Sequence, residues 1–398
     1  MEMTPDAGPL TDQEVREIRG EFPALERYTY FATNGLGVLP LRTVSVLQGR
    51  LDGYARNGVI AAIKGNVPLV EETRARVARL LGSDAGEVAF CRNTSEGVLW
   101  VAHSLPLHAG DEVLAVQGEY PATVLPWMAR DSRGVVTRLL PQHDRRITPE
   151  QVADAWTPRT RLLSVSFVQF NSGFRADLRR LAEVVHERGG LLLCDAIQGL
   201  GTLRLDVRDS AVDFLTAGTH KWLLGLQGLG VFYCRHACLD LLQPLHVGTG
   251  SLLVDTDPED PEAPYDQRMV AGARRFEEGT RNYIAIAALN ESLRFIEEIG
   301  STRIEARVRE LTDYLVDAVE RRGCHVESPR GRGEWSGIVL FAPPPNGPSA
   351  RQLVDTMQNQ RIVINAREGC IHMGVHFYNT VEEIDRVLRL IDESRWLQ

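Results

Sequence analysis

Short apolar runs alternate with amphipathic segments through the middle of the chain. Apolar runs of this length predict strands, and apolar residues at helical spacing predict helices. The predicted strands cover residues 88–91, 113–116, 135–140, 162–167, 191–195, 213–217 and 230–234, and the helices between them cover 95–105, 122–129, 148–156 and 177–187. This order is typical of a mainly parallel α/β sheet with helices on both faces.

The two ends of the chain carry a different pattern. Thr11 and Glu14 form a capping-box signature, which predicts a helix over residues 11–20. The acidic, proline-rich segment 252–268 is expected to be a surface loop. Further predicted elements are helices over 69–81 and 283–321, strands near 337–341, 362–365 and 373–377, and a last helix from about residue 381. The C-terminal part is therefore predicted to be an α+β domain.

Length and charge limit the classes of protein. The chain has 398 residues, which predicts one large domain and one smaller domain. Its net charge is -9 and it has no run rich in lysine and arginine, so we expect no nucleic-acid partner. We expect neither a membrane span nor a secretion signal, because no apolar run is long enough and the first residues are acidic.

The cysteines and histidines favour a cytoplasmic protein without a metal site. The six cysteines contain no CxxC pair, so buried free thiols in a reducing compartment are expected. The histidine and cysteine spacings fit no zinc-ligand pattern. The glycine-rich fingerprints of nicotinamide and ATP sites are also absent from the sequence.

Three segments at predicted strand ends carry the candidate chemistry. Thr94, Ser95 and Glu96 stand between a strand and a helix, which suits either a phosphate cradle or an ordinary helix cap. Asp195 ends an apolar strand and either meets a ligand or caps the next turn. Lys221 has apolar neighbours, and burial there would lower its pKa and make it nucleophilic; otherwise it is a solvated surface lysine.

A phosphate cradle, a carboxylate and a lysine together suit one cofactor, pyridoxal 5′-phosphate. The lysine amine binds this cofactor covalently, and the carboxylate keeps its pyridine nitrogen protonated so that the ring accepts electrons. The sequence therefore predicts Lys221 and Asp195 as the catalytic residues.

From about Tyr30 to Val387 the chain resembles the class V aminotransferases of pyridoxal-phosphate fold type I. That family includes the cysteine desulfurases and isopenicillin N epimerase-like proteins. The resemblance implies a large domain at 30–282 with a mainly parallel seven-stranded sheet, a small α+β domain at 283–398, and an N-terminal segment, 1–29, that packs with the small domain. It also implies a homodimer with a shared active site.

The resemblance assigns further roles by matching motifs. Tyr120 takes the place of the residue that stacks on the pyridine ring, and Gln198 matches the partner of the cofactor 3′-oxygen. Thr280 matches the threonine that reaches the phosphate of the neighbouring subunit. The residues implied to bind the cofactor are Thr94, Ser95, Glu96, Tyr120, Asp195, Gln198, Thr219, His220, Lys221 and Thr280.

Some positions depart from the family pattern. His372 stands where the family usually has an arginine that grips the substrate carboxylate, and Arg367 is a possible substitute. With Asn34, these two are the expected substrate-binding residues. The family's asparagine beside the 3′-oxygen falls at Phe170. Cys370 lies near the position of the desulfurases' sulfur-accepting cysteine, but the spacing is too short, so a packed thiol is expected.

The expected function is a reaction on the amino-acid part of a small molecule. β-Elimination by a carbon–sulfur lyase acting on a cysteine conjugate is favoured, and transamination or epimerisation would use the same residues. Because His372 cannot reproduce a bidentate arginine clamp, decarboxylation coupled to oxidative deamination is the serious alternative. A non-catalytic protein of this fold and a nicotinamide oxidoreductase are disfavoured by the retained Lys221 and Asp195 and by the missing dinucleotide fingerprint.

Overall fold

The computed structural model describes residues 8–253, 268–345 and 347–394. Its strands are β1 (Thr29–Tyr30), β2 (Val88–Cys91), β3 (Glu112–Val116), β4 (Val136–Leu140), β5 (Thr160–Ser166), β6 (Leu191–Asp195), β7 (Phe214–Gly218), β8 (Gly230–Cys234), β9 (His325–Val326), β10 (Ile338–Ala342), β11 (Ile362–Val363), β12 (Asn365–Arg367) and β13 (Cys370–Gly374). Its α-helices are α1 (Asp12–Gly20), α2 (Ala24–Arg27), α3 (Leu41–Asn57), α4 (Val59–Leu81), α5 (Thr94–Ser104), α6 (Pro121–Met128), α7 (Pro149–Ala155), α8 (Leu178–His186), α9 (Val207–Ser210), α10 (Tyr283–Ile299), α11 (Ser301–Glu320), α12 (Ala350–Asn359) and α13 (Val381–Ser394).

A seven-stranded sheet forms the centre of the larger part, in the order β2-β8-β7-β6-β5-β3-β4. Only β8 runs against the others, since it pairs antiparallel with both β2 and β7. Neighbouring residues of β2 pack into different cores: Phe90 lies in one apolar cluster, and Ala89 and Cys91 lie in another. This alternation requires a core on each face of the sheet, so the predicted mainly parallel, doubly covered sheet is confirmed.

A smaller antiparallel sheet, in the order β12-β13-β10-β9, forms the second part. It shares a separate apolar core with α11, α12 and α13, built from residues such as Leu315, Met357 and Leu388. The N-terminal strand β1 pairs in parallel with β11, and Arg19 on α1 forms a salt bridge with Glu383 on α13. The predicted domain boundaries at 29/30 and 282/283 stay a prediction.

Several elements differ from the sequence-based expectation. The helix predicted over 69–81 is the second half of α4, which contains Pro68, and α3 was not predicted at all. Several apolar residues on these helices, such as Leu51, Ile60 and Val67, are exposed and do not pack into the core of this chain. The strand predicted at 362–365 is divided between two sheets as β11 and β12. The strand predicted at 373–377 occupies 370–374 instead.

The described residues contain neither a membrane-spanning helix nor a cluster of metal ligands. No helix among them is long and apolar enough to span a bilayer. No group of three or more histidine, cysteine, aspartate or glutamate side chains among them could hold a metal ion. Most of the loop expected at 252–268 lies outside the described residues.

Candidate active site

A cavity of about 540 Å³ opens where the parallel strands of the large sheet end. Asp195 is the last residue of β6, and Lys221 follows β7. In open α/β sheets this edge is where ligands bind. The predicted site residues that line the cavity are Asn34, Thr94, Ser95, Tyr120, Asp195, Gln198, His220, Lys221, Arg367 and His372.

Asp195 and Lys221 both line this cavity, and the charge of each affects the pKa of the other. Burial raises the pKa of Asp195 to about 7, although the backbone N–H of Ile197 donates to its Oδ1 at 2.9 Å and the Lys221 charge opposes the rise. Burial also lowers the pKa of Lys221, and the charge on Arg367 lowers it further. A larger fraction of Lys221 is therefore in the neutral form that nucleophilic or base chemistry needs than in an exposed lysine.

The first turn of α5 also lines the cavity. Asn93 caps this helix, with its Oδ1 accepting from the backbone N–H of Glu96 at 3.0 Å. Thr94 Oγ1 accepts from Gly218 N at 3.0 Å, which ties the helix to the end of β7. Gly97 allows this close approach, because a Cβ there would lie 2.1 Å from Thr216 Oγ1. A helix N-terminus with two hydroxyl residues suits a phosphate group.

An aromatic pair forms one wall. The Tyr120 and Phe170 rings meet edge to face, with centres 5.4 Å apart. Lys221 Nζ lies 5.7 Å from the centre of the Tyr120 ring, and Arg367 Cζ lies 4.7 Å from the centre of the Phe170 ring. Sequence reasoning missed Phe170 as a wall residue and Asn93 as a lining residue. The N-cap pattern before α5 was a usable signal for Asn93.

The remaining lining residues come from distant parts of the chain. Gln198 Nε2 donates to the Asn34 carbonyl oxygen at 3.0 Å, while its Oε1 accepts from Trp222 Nε1 at 2.9 Å. The Asn34 side-chain amide lies 3.1 Å from His372 Nδ1. Gly37 brings this segment against Lys221, because a Cβ at residue 37 would lie 2.1 Å from the Lys221 carbonyl oxygen.

His372 and Arg367 differ in charge. Burial lowers the pKa of His372 to about 4, and the nearby Arg367 and Lys221 charges add to that effect. His372 is therefore neutral at physiological pH. Arg367 has a buried Nε without a hydrogen-bond partner, and it forms no ion pair with another of the described residues. Its permanent charge is therefore available to an anionic ligand.

Three of the predicted cofactor contacts are not among the residues that line the cavity. The Glu96 carboxylate is held by Arg92, whose Nε donates to it at 2.7 Å. The Thr219 hydroxyl donates to the Leu226 carbonyl oxygen at 2.8 Å, which holds the turn after β7. Thr280 lies outside the cavity of its own chain. Their cofactor contacts stay predictions. Cys370 is also outside the lining, and burial raises its thiol pKa.

These residues fit pyridoxal phosphate. The buried carboxyl group of Asp195 suits the ring nitrogen, the Tyr120 face suits the ring, and the helix N-terminus at Thr94 suits the phosphate. Lys221 lines the same cavity and supplies a primary amine with a lowered pKa. This set of groups suits a flat aromatic aldehyde that carries a phosphate ester.

Fold and site together define a pyridoxal-phosphate enzyme of fold type I. Residues 39–387 match the family model described as aminotransferase class-V, and the chain belongs to that family. The predicted family, fold type, enzyme class and cofactor are thereby confirmed.

Relatives cover most of the chain. An isopenicillin N epimerase of Streptomyces clavuligerus is 32% identical over 81% of this chain and 84% of its own length. An uncharacterized aminotransferase of Bacillus subtilis is 27% identical over 92% of this chain and 95% of its own. A structure of the cystine C–S lyase C-DES with its product cysteine persulfide superposes with a TM-score of 0.85 at 25% identity, covering 93% of this chain and 99% of that one.

Proposed function

We propose that the protein is a carbon–sulfur lyase that acts by β-elimination on a cysteine conjugate or a similar amino acid. The observation that carries this proposal is the lining of the cavity: it contains a lysine of lowered pKa and an available arginine, and no described cysteine contributes to it. Without a lining thiol there is no group to hold sulfur on the protein, so sulfur would leave with the product. The similarity to C-DES agrees with this proposal.

The chain's own residues have separable roles in this reaction. Thr94, Ser95 and His220 would hold the cofactor phosphate, Asp195 its ring nitrogen, Gln198 its 3′-oxygen and Tyr120 its face. When bound, pyridoxal phosphate stabilises negative charge at the substrate α-carbon. Lys221 would bind the cofactor covalently and then accept the α-proton at Nζ. In the overall reaction the Cβ–S bond breaks, sulfur leaves as a thiolate with the bonding pair, and the released enamine is hydrolysed to pyruvate and ammonia.

Product analysis tests the reaction type. The holoenzyme would be incubated with cystine and with S-alkyl cysteines, and thiol or persulfide, pyruvate, ammonia and carbon dioxide would be quantified. β-Elimination gives one pyruvate and one ammonia for each thiol or persulfide released. A keto acid that retains the intact side chain would identify an aminotransferase, inversion of the α-carbon an epimerase, and carbon dioxide a decarboxylase; each of these would overturn the proposal.

Arg367 is proposed as the residue that binds the substrate carboxylate. It is permanently charged, its Nε is unpaired, and its planar guanidinium suits a carboxylate. His372 is neutral above about pH 5 because burial holds its pKa near 4, so it offers hydrogen bonds but no charge. Asn34 and His372 would then orient a neutral polar part of the substrate.

Arg367→Ala is expected to raise the KM for the amino-acid substrate about tenfold or more, since hydrogen bonds to charged groups contribute about 1.5–3 kcal/mol. His372→Arg is the matched variant and should change KM little. Steady-state kinetics with carbon dioxide detection measures both. The alternative, decarboxylation coupled to oxidative deamination, is favoured by the missing arginine at 372. It predicts the reverse: carbon dioxide release in the wild type that His372→Arg suppresses.

A homodimer with a shared active site is proposed for the assembled enzyme. Apolar residues on α3 and α4, namely Leu51, Val59, Ile60 and Val67, are all more than half exposed, which suits a partner surface. Thr280 lies outside the cavity of its own chain, where a residue that serves the partner's phosphate site would be found.

Light scattering is expected to give the mass of two chains. The double variant Ile60→Glu/Val67→Glu should shift the protein toward monomer and lower its activity, because it places charge on the exposed apolar surface. Val136→Glu is the control, since Val136 is an exposed apolar residue on β4 at the far edge of the sheet from β2. A fully active wild-type monomer would contradict the shared site.

A cytoplasmic location is proposed from the thiols. All six cysteines lie within the described residues, where they are buried thiols and not disulfides. Cysteines that do not form disulfides are typical of reducing compartments. The predicted partner, a small amino-acid substrate, would then be bound in that compartment.

A further inference from the structure

Glu119 is a buried carboxyl group that the proposed reaction does not use. It lies between β3 and α6 and is 7% exposed. Its Oε1 accepts from Ser166 N at 2.8 Å and from Gln169 Nε2 at 2.6 Å. Its Oε2 contacts Ser166 Oγ at 2.6 Å and accepts from Tyr120 N at 3.2 Å. A carboxyl group buried with this many donors holds several segments in a fixed relation.

The segments that Glu119 joins carry both rings of the aromatic wall of the cavity. Tyr120 follows it directly, and Gln169 directly precedes Phe170. The Tyr120 ring is the one near Lys221 Nζ, and the Phe170 ring is the one beneath the Arg367 guanidinium. One carboxylate therefore links the supports of the two rings that contact the two cations of the cavity.

Glu119 is also one strand away from Asp195. Ser166, which contacts both Glu119 oxygens, pairs with Asp195 across β5 and β6. The groups whose titration Glu119 affects from that side are Asp195 and the Cys194 thiol, and Lys221 acts on Asp195 with the opposite sign. Burial raises the pKa of Glu119, and its hydrogen bonds oppose that rise.

We propose that Glu119 is a positioning residue, which fixes the Tyr120–Phe170 wall against the cofactor and supplies a negative charge behind Asp195. It touches neither substrate nor cofactor and acts through the side chains it holds. This inference rests on the proposed function, because the wall matters only if the cofactor and substrate lie against it.

Glu119→Gln removes the negative charge of this side chain and nearly keeps its shape. The glutamine oxygen can keep the bonds from Ser166 N and Gln169, whereas its amide NH₂ would face the Tyr120 N–H and lose that contact. The variant should weaken pyridoxal-phosphate binding to the apoprotein about tenfold, measured by fluorescence titration. It should also move the acidic limb of the kcat/KM profile to lower pH, because removing the Glu119 charge lowers the pKa of Asp195.

Two matched pairs of variants distinguish positioning from general stability. Ser166→Ala removes a hydroxyl that bonds to Glu119, while Ser164→Ala removes a buried hydroxyl on the same strand that donates to the Thr123 carbonyl oxygen instead. Only Ser166→Ala should weaken cofactor binding. Gln169→Leu removes the donor that ties the Phe170 segment to Glu119, so it should raise the substrate KM.

The outcomes separate the two proposals. Failure of the wild type to bind pyridoxal phosphate at Lys221 would overturn the proposed function whatever the Glu119 variants do. With binding at Lys221 established, wild-type cofactor affinity and pH profile in Glu119→Gln would overturn the positioning role. Equal effects of Ser164→Ala and Ser166→Ala would also overturn it. If Glu119→Gln does not fold, the serine pair and Gln169→Leu decide the question.

Discussion

Lys221→Ala is expected to lower turnover by at least about 10²–10⁴-fold, the range that a positioned acid–base group contributes. The loss should be larger than for any other single substitution, because Lys221 both binds the cofactor covalently and moves the α-proton in the proposed reaction. Burial lowers the pKa of Lys221 and so increases its neutral fraction. A small amine added to the solvent would therefore not replace it with equal efficiency. Turnover with saturating pyridoxal phosphate measures the loss.

The chain itself supplies the control. It contains two lysines, and the second, Lys64, is exposed on α4. Borohydride reduction followed by peptide mass analysis should therefore find the cofactor on Lys221 in the wild type and in Lys64→Ala, and on neither lysine in Lys221→Ala. Cofactor attached at Lys64, or near-normal turnover of Lys221→Ala, would contradict the assignment.

The parts of the site that could be predicted from sequence share one property: each is encoded within a short segment. Asp195 ends a buried strand and Lys221 follows another, so the rule that parallel strand ends meet at one edge brings them together without further information. The capping pattern of α5 places Thr94 and Ser95 in the same way. Local pattern and sheet chirality are sufficient for these residues.

The substrate side of the cavity could not be predicted in this way. Asn34 and His372 are 338 positions apart and meet only because β13 lies beside the segment after β1. Arg367 precedes a tight turn in which Glu368 has φ of 50° and Gly369 has φ of 77°. A non-glycine residue in the left-handed region is not signalled by composition. Whether Arg367 or His372 carries the usable charge was therefore open until burial was known.

The missed helices have a different physical cause. Helix prediction from pattern assumes that apolar residues face the core. On α3 and the first half of α4 several face outward instead, as Ile60 and Val67 do, so the apolar residues do not mark a core face. Apolar residues at helical spacing, at positions 44, 47, 51 and 54 of α3, were a usable signal that the prediction missed. If these helices contact a partner chain, as proposed, their apolar residues become buried only in the assembly.

The role of Glu119 could not be predicted from a local pattern either, because its hydrogen-bond partners Ser166 and Gln169 are distant in sequence.

Asp195→Asn is expected to keep covalent attachment of the cofactor to Lys221 but to lower kcat by about 10²–10³-fold. The cause is electrostatic: asparagine cannot carry the negative charge that keeps the cofactor ring nitrogen protonated. Loss of one preorganised electrostatic partner typically costs about 2.7–4 kcal/mol of barrier. The effect should appear in kcat and in the exchange rate of the substrate α-proton for deuterium, since both depend on charge developing at the α-carbon.

The control for this substitution is Asp213→Asn, the same chemical change at another buried aspartate. Asp213 accepts from Leu192 N at 2.7 Å and lies within bonding distance of His186 and Arg235, and it does not line the cavity. Asp213→Asn should therefore lower the melting temperature while leaving α-proton exchange per folded molecule unchanged. Asp195→Asn should slow α-proton exchange while leaving the melting temperature nearly unchanged. Near-wild-type exchange and turnover in Asp195→Asn would mean that this carboxylate only holds the turn to Ile197 and has no part in the chemistry.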